Sequence, residues 1–180
     1  SDGKPFSAAI EVRPAPWEPK HRLARIGIQG KKVELEEAPR ANLVFLIDVS
    51  GSMEPQDRLP LVKKCLRMLV KQMRVKDTVS MVVYAGSSGL VLPPTTGAAR
   101  DAIEKALDRL HAGGSTNGAQ GIELAYQVAQ ENFVKGGVNR VILCTDGDFN
   151  VGVTSEGALV RLIEEKRKSG VFLSVLGFGR

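Results

Sequence analysis

Leu43-Val44-Phe45-Leu46-Ile47-Asp48-Val49-Ser50-Gly51-Ser52 decides the reading of this chain. The five apolar residues Leu43–Ile47, bounded by Pro39 and Gly51, read as a buried strand. The chain then turns and offers one carboxylate and two hydroxyls, from Asp48, Ser50 and Ser52. Oxygen-only donors on a tight loop suit a hard cation such as Mg²⁺. A second apolar run, Arg140-Val141-Ile142-Leu143-Cys144-Thr145, ends in another acidic turn, Asp146-Gly147-Asp148. Two strands that both end in aspartate are the core of the functional argument.

Outward from these strands, the pattern alternates. Leu59, Val62, Leu66, Leu69, Val70 and Met73 recur at helical spacing. Thr78–Ala85 is rich in β-formers, and Gly89–Leu92 reads as a short strand that stops at Pro93-Pro94. Ala98–Leu110 and Ala119–Glu131 have helical spacing, with the loop Gly113-Gly114-Ser115-Thr116-Asn117-Gly118 between them. A helix over about 155–168 ends at Gly170, a plausible C-cap, and Val171–Leu176 is the last strand. Strands alternating with helices predict an α/β, Rossmann-like, doubly wound and mostly parallel sheet flanked by helices. Ligands of such sheets sit at the carboxyl ends of strands, where strand order reverses. If the Asp48 and Asp146 strands are neighbours there, their carboxylates converge. Two like charges brought together need a proton or a cation between them, and the added hydroxyls favour the cation. Gly51 and Gly147 are expected to let the backbone turn beside it.

Residues 1–38 differ. Ser7–Arg13, Leu23–Gln29 and Val33–Leu35 read as short strands of a small N-terminal β appendage. They are linked by a proline-rich stretch, Pro14–Pro19, that cannot be helical. Trp17 is expected to pack on this appendage. The expected division is 1–38 for the appendage and 39–180 for the main domain.

The bulk numbers exclude several classes. The 180 residues suffice for one domain with its own core. No apolar run approaches the ~20 residues of a membrane span. Two cysteines are too few for a disulfide scaffold, and Cys65 and Cys144 are both expected to be buried thiols. The net charge of +5 is concentrated between Arg58 and Lys76, which hold seven Lys/Arg and no Asp or Glu. No aromatics interleave with them, so the stretch reads as the solvated face of an amphipathic helix rather than a nucleic-acid surface. The chain begins at Ser1 rather than Met, so compartment stays open.

The constellation resembles the von Willebrand factor A domain and its metal-ion-dependent adhesion site (MIDAS). Its three separated motifs are Asp48, Ser50 and Ser52 of an Asp-x-Ser-x-Ser string, Thr116, and the Thr145-Asp146-Gly147 turn. Thr116 rather than Ser115 matches, because the family places its threonine five residues before a helix glycine, here Gly121. By resemblance, Ser50, Ser52 and Thr116 would contact Mg²⁺ or Mn²⁺ directly or through water. Asp48 and Asp146 would bind it or hold its waters. A carboxylate from a protein partner, or from another part of the same polypeptide, would fill the remaining position. The resemblance implies a divalent-metal-dependent protein–protein interaction module with no catalytic residues, no nucleic-acid partner, and a membrane link only through an anchor elsewhere. Residues 43–53, 144–152 and 173–179 look most like a bacterial branch that includes envelope-anchored lipoproteins, which implies the bacterial cell envelope. The family's sheet has six strands, and its last helix and strand would lie beyond Arg180. The Val171–Leu176 edge is therefore expected to be covered by another chain or by the N-terminal appendage.

Two alternatives compete. Asp48 could be a helix N-cap, which leaves Thr116 and Asp146 unexplained. The chain could be a metal-dependent phosphatase or phosphotransferase of the haloacid dehalogenase-like type. That family carries a second aspartate two positions after the first, where this chain has Ser50. His21 and His111 lie outside the motifs, and no phosphate-binding Gly-x-x-x-x-Gly-Lys-Ser/Thr string occurs.

Overall fold

The computed structural model describes residues 5–30, 36–85, 87–113, 118–147 and 156–179. The chain divides into two compact units, 1–38 and 39–180.

The first unit is an antiparallel hairpin of β1 (Phe6–Ala15) and β2 (Glu18–Gly30). Both strands are longer than expected. They run through Pro14 and Pro19, because a two-stranded ribbon has edges at which a missing N–H is tolerated. Alternation places Phe6, Ile10 and Val12 opposite Gly30, Ile26 and Ala24 on one apolar side, and the large members of that side are exposed. Trp17, at the turn, is 72% exposed and does not pack as expected. The expected strand Val33–Leu35 lies outside the described residues.

The second unit is a five-stranded sheet in the order β5-β4-β3-β6-β7. Its strands are β3 (Ala41–Asp48), β4 (Thr78–Ala85), β5 (Ser87–Thr96), β6 (Val138–Thr145) and β7 (Phe172–Gly177). β3, β4, β6 and β7 are parallel and β5 is antiparallel. Helices cover both faces, as the doubly wound reading predicted. Phe45 and Ile47 of β3 pack under α1 (Leu59–Gln72) and α2 (Arg100–Asp108). Val44 and Leu46 pack on the other face, under α3 (Gly118–Glu131), together with Ile163 of α4 (Glu156–Arg167). An apolar run without alternation is what a strand buried on both faces requires.

Two details differ from expectation. β5 continues through Pro93-Pro94 to Thr96, at a register shift opposite Ser80. An edge strand with a bulge accommodates two missing donors. Cys65 is exposed on α1 and only Cys144 is buried, where burial pushes its thiol up to about 12. β1 and β2 pair with each other as a separate sheet. Among the described residues no strand pairs with the outer side of β7, where Phe172, Val175 and Leu176 are exposed.

The end of the sheet opposite the Asp48 loop is fixed by Asp77. Its carboxylate accepts from the Ala41 N–H at 2.9 Å and from the Arg74 N–H at 3.1 Å. It also pairs with the Arg74 guanidinium at 2.7 and 2.8 Å. Burial raises its pKa, but these donors outweigh burial and leave it below the ordinary 3.8. A depressed carboxyl contributes stability that is complete above the unfolded value and is lost as pH falls through the folded one. The stability difference between wild type and Asp77→Asn, from urea melts, should therefore be full above about pH 4 and shrink below it. A difference independent of pH would refute this account.

Gly121 of α3 makes a close approach to the sheet. A Cβ there would lie 2.8 Å from Tyr84 Cβ and 3.2 Å from Leu46 Cδ1. Overpacking of about 1–3 kcal/mol should outweigh a helix-propensity gain of about 1 kcal/mol. Gly121→Ala should thus lower urea stability by up to about 2 kcal/mol, and an increase would contradict the tight contact.

Candidate metal centre

β3 and β6 are adjacent, and the chain departs from β3 toward β4 on one side before returning to β6 on the other. The Asp48 and Asp146 turns therefore meet at the carboxyl ends of neighbouring strands, at the point where strand order reverses.

Asp48 ends β3 and is fully buried. Its Oδ1 accepts the Ser50 N–H at 2.8 Å, which turns the chain back and closes the loop. Its Oδ2 accepts the Tyr84 hydroxyl from β4 at 3.0 Å and the Thr145 hydroxyl from β6 at 3.5 Å. Burial, with the nearby Asp48 and Asp146 charges as smaller causes, pushes the Tyr84 phenol far above its ordinary value. It therefore remains a donor at physiological pH. Asp48 caps no helix: α1 begins after Arg58, whose side chain does not cap it.

The two serines lie on the turn that follows. Ser50 is buried, Ser52 is exposed, and their Oγ atoms are 3.0 Å apart. Ser50-Gly51-Ser52 leads into a short 3-10 turn, Gly51–Met53. Gly51 does not use a positive φ, whereas Gly147 does, at 106°. Only the second of the two expected glycine turns depends on glycine's conformational freedom. The Gly113 N–H donates to the Val49 carbonyl at 2.7 Å, tying the segment after α2 to the Asp48 turn.

Asp146 follows β6, and its side chain is 1% exposed. One nitrogen of Arg58, Nη1, donates to Asp146 Oδ2 at 2.5 Å and to the Ser52 carbonyl at 2.8 Å. Asp48, Ser50, Ser52 and Asp146 thus belong to one connected cluster. Thr116, the remaining sequence-derived candidate, lies outside the described residues, as does Asp148.

Sequence reasoning missed Tyr84 and Arg58. Tyr84 is linked to Asp48 only through strand register, where the two residues are direct partners. Arg58 was hidden in a basic run, several of whose members have partners within the fold. Lys63 donates to the Asp108 and Leu110 carbonyls, Arg67 pairs with Glu104 and Asp108, and Arg74 pairs with Asp77.

The donor chemistry fits a hard cation. The clustered side chains offer carboxylate and hydroxyl oxygens, with no imidazole or thiolate. Among the described residues no group of three or more His, Cys, Asp or Glu is arranged to hold a metal ion. The serine hydroxyls would therefore be needed to complete any ligand set.

The fold and the cluster together define a doubly wound α/β domain with an oxygen-lined loop site at its topological switch point. The chain belongs to the von Willebrand factor type A domain family, whose profile matches residues 43–148. It is 47% identical over 175 residues to the uncharacterized protein YfbK of Escherichia coli, covering 97% of this chain and 30% of that protein. It spans 16% to 45% of the length of the first curated relatives it matches. An aerotolerance-related membrane protein from Bacteroides fragilis is similar in structure, with 28% identity and a TM-score of 0.58 over 77% of this chain and 68% of that one. The manganese-loaded TRAP protein of Plasmodium vivax shares the fold, at 18% identity and a TM-score of 0.63, over 79% of this chain and 58% of that one.

If Tyr84 holds Asp48, removing its hydroxyl leaves a buried carboxylate short of a donor. Tyr84→Phe should lower urea stability by about 1.5–3 kcal/mol, the range for hydrogen bonds to charged groups. A loss under about 0.5 kcal/mol would show that the other donors suffice.

Proposed function

We propose that this domain is a divalent-metal-dependent protein-interaction module that captures a carboxylate of its partner at the Asp48–Asp146 site. The observation that carries the reading is the oxygen cluster itself, with Asp48 oriented by donors from three parts of the fold. Ser50 and Ser52 would supply neutral lone pairs. Asp48 and Asp146 would supply charge, and Thr116 would join them by resemblance. Bound there, Mg²⁺ or Mn²⁺ supplies an electrophilic point for one further anionic oxygen, which an exposed Glu or Asp of a partner would provide. The manganese in the Plasmodium protein's structure is consistent with this chemistry on the same fold.

The chain's own residues need only bind and orient. Tyr84 and the Ser50 N–H fix Asp48, while Ser52 and Gly51 lie exposed at the mouth, where a partner would arrive. The same orienting bonds disfavour the phosphotransferase alternative, in which Asp48 would have to attack a phosphorus atom with an oxygen already held by donors. We also propose a location at the bacterial envelope, by analogy with the membrane protein from Bacteroides. No described helix is long and apolar enough to cross a membrane.

Metal should stabilise the fold. At a hundredfold excess over Kd, linkage gives about 2.7 kcal/mol, which for a unit of this size is a rise of roughly 5–10 °C in melting temperature. Thermal melts in Mg²⁺, Mn²⁺ and EDTA check this, with Asp146→Ala and Ser50→Ala expected to reduce the rise. Identical melts in all three solutions, with no heat of binding, would reject the site. A Mg²⁺-dependent pull-down beside a phosphomonoester assay separates the two readings. Turnover that vanishes in Asp48→Asn, with no metal-dependent capture, would favour the enzyme.

A further inference from the structure

Arg58 places a second, built-in cation at this site. Its Nη1 reaches Asp146 Oδ2 at 2.5 Å and the Ser52 carbonyl at 2.8 Å, bridging the two turns that carry the proposed ligands. Asp146 is almost fully buried, and a buried carboxylate requires a partner charge. The Arg58 side chain is 28% exposed, so it is not sealed into the core.

The surroundings hold the backbone of Arg58 while leaving its side chain a choice. The Arg58 N–H donates to the Pro55 carbonyl at 3.0 Å, and its carbonyl accepts the Val62 N–H at 2.9 Å. The segment after β7 crosses close by. The Phe178 N–H donates to the Thr145 carbonyl at 2.9 Å, and the Gly179 N–H to the Asp57 carbonyl at 3.1 Å. A Cβ at Gly179 would lie 3.0 Å from Arg58 Nε. The backbone on either side of the guanidinium is thus pinned to both turns.

We infer that Arg58 is an internal counter-ion that competes with the divalent cation for Asp146, so that the cation takes Oδ2 only by exchanging with the guanidinium. This rests on the metal-site reading above. The charges set the direction. Asp48 and Asp146 sum to −2, and Arg58 leaves −1, so it lowers the attraction for a divalent ion while satisfying the carboxylate in the ion's absence. An arginine suits this better than a lysine, because a guanidinium is more weakly hydrated than an ammonium and loses less on leaving water beside a buried carboxylate.

The competition has a signature that a merely structural role lacks, since the two effects of removing Arg58 have opposite signs. In EDTA, Arg58→Gln should melt several degrees below wild type, because the Asp146 carboxylate loses the Arg58 guanidinium. In isothermal titration with MgCl₂ or MnCl₂ alone, the same variant should bind about tenfold tighter, the order expected for deleting a unit charge beside a divalent ion. Wild type that binds metal with no tightening in the variant overturns this inference and leaves the site standing. Weaker binding in the variant makes Arg58 a structural staple and also overturns it. Metal bound by Arg58→Gln but not by wild type supports it in its strongest form. No binding by either protein overturns both the inference and the site. If Arg58→Gln does not fold, Arg58→Lys carries the test: about threefold tighter binding is expected from its weaker hold on Asp146, and unchanged affinity overturns the inference.

Discussion

The rest of this structure depends on the burial of one carboxylate. Asp48 lies at the end of the central strand with no exposed surface, and an ionised group there is tolerated only if its oxygens are satisfied. The satisfaction comes from three places distant in sequence: the Ser50 N–H of its own turn, the Tyr84 hydroxyl of β4 and the Thr145 hydroxyl of β6. Each partner is correctly placed only if β3 lies between β4 and β6 in the observed register. Tyr84 is in turn packed beneath α3, whose approach depends on the missing side chain of Gly121. Strand order, register and helix packing therefore converge on one side chain.

The sequence made the strands legible because β3 and β6 are buried on both faces and so read as unbroken apolar runs. The aspartates were legible because both terminate such runs. Asp146 and the serines were found by motif, and their clustering follows from two strands being neighbours. Tyr84 could not be read in this way. It sits in Thr78–Ala85 as one β-former among several, and its link to Asp48 exists only as register. Arg58 was masked by its company. Seven basic residues without an acid between them look like a solvated face, but four of them, Arg58, Lys63, Arg67 and Arg74, reach partners within the fold. Charge patterning along a helix describes neighbours at three and four residues, whereas Asp146 is 88 residues from Arg58.

Proline at the edges gave the other misreading. Pro93-Pro94 reads as a stop because proline cannot donate to a ladder. β5 passes through it because it is an edge strand and its register shifts there. The same reasoning extends β1 and β2 through Pro14 and Pro19. A breaker is judged by whether the lost N–H faces a partner, which depends on sheet position and not on local sequence.

The loop cluster divides into a buried half and a partly exposed half. Asp48 and Ser50 are buried and tied to the sheet by short bonds, so their geometry is set once the domain folds. Ser52 is exposed, and the Asp146 carboxylate is paired through a partly exposed arginine. Preorganised oxygens on the buried side reduce the ordering a bound cation would demand, whereas the partnered side determines how strongly it would be held. On the proposed reading, moving charge on the exposed half would alter affinity at some cost in stability, since Arg58 pairs with Asp146, but would leave strand register unchanged. Such a domain would, on that reading, keep one scaffold and tune its ion through a single side chain: Asp48 is held by the fold, and Arg58 would set the response because it alters charge beside Asp146 and not strand order.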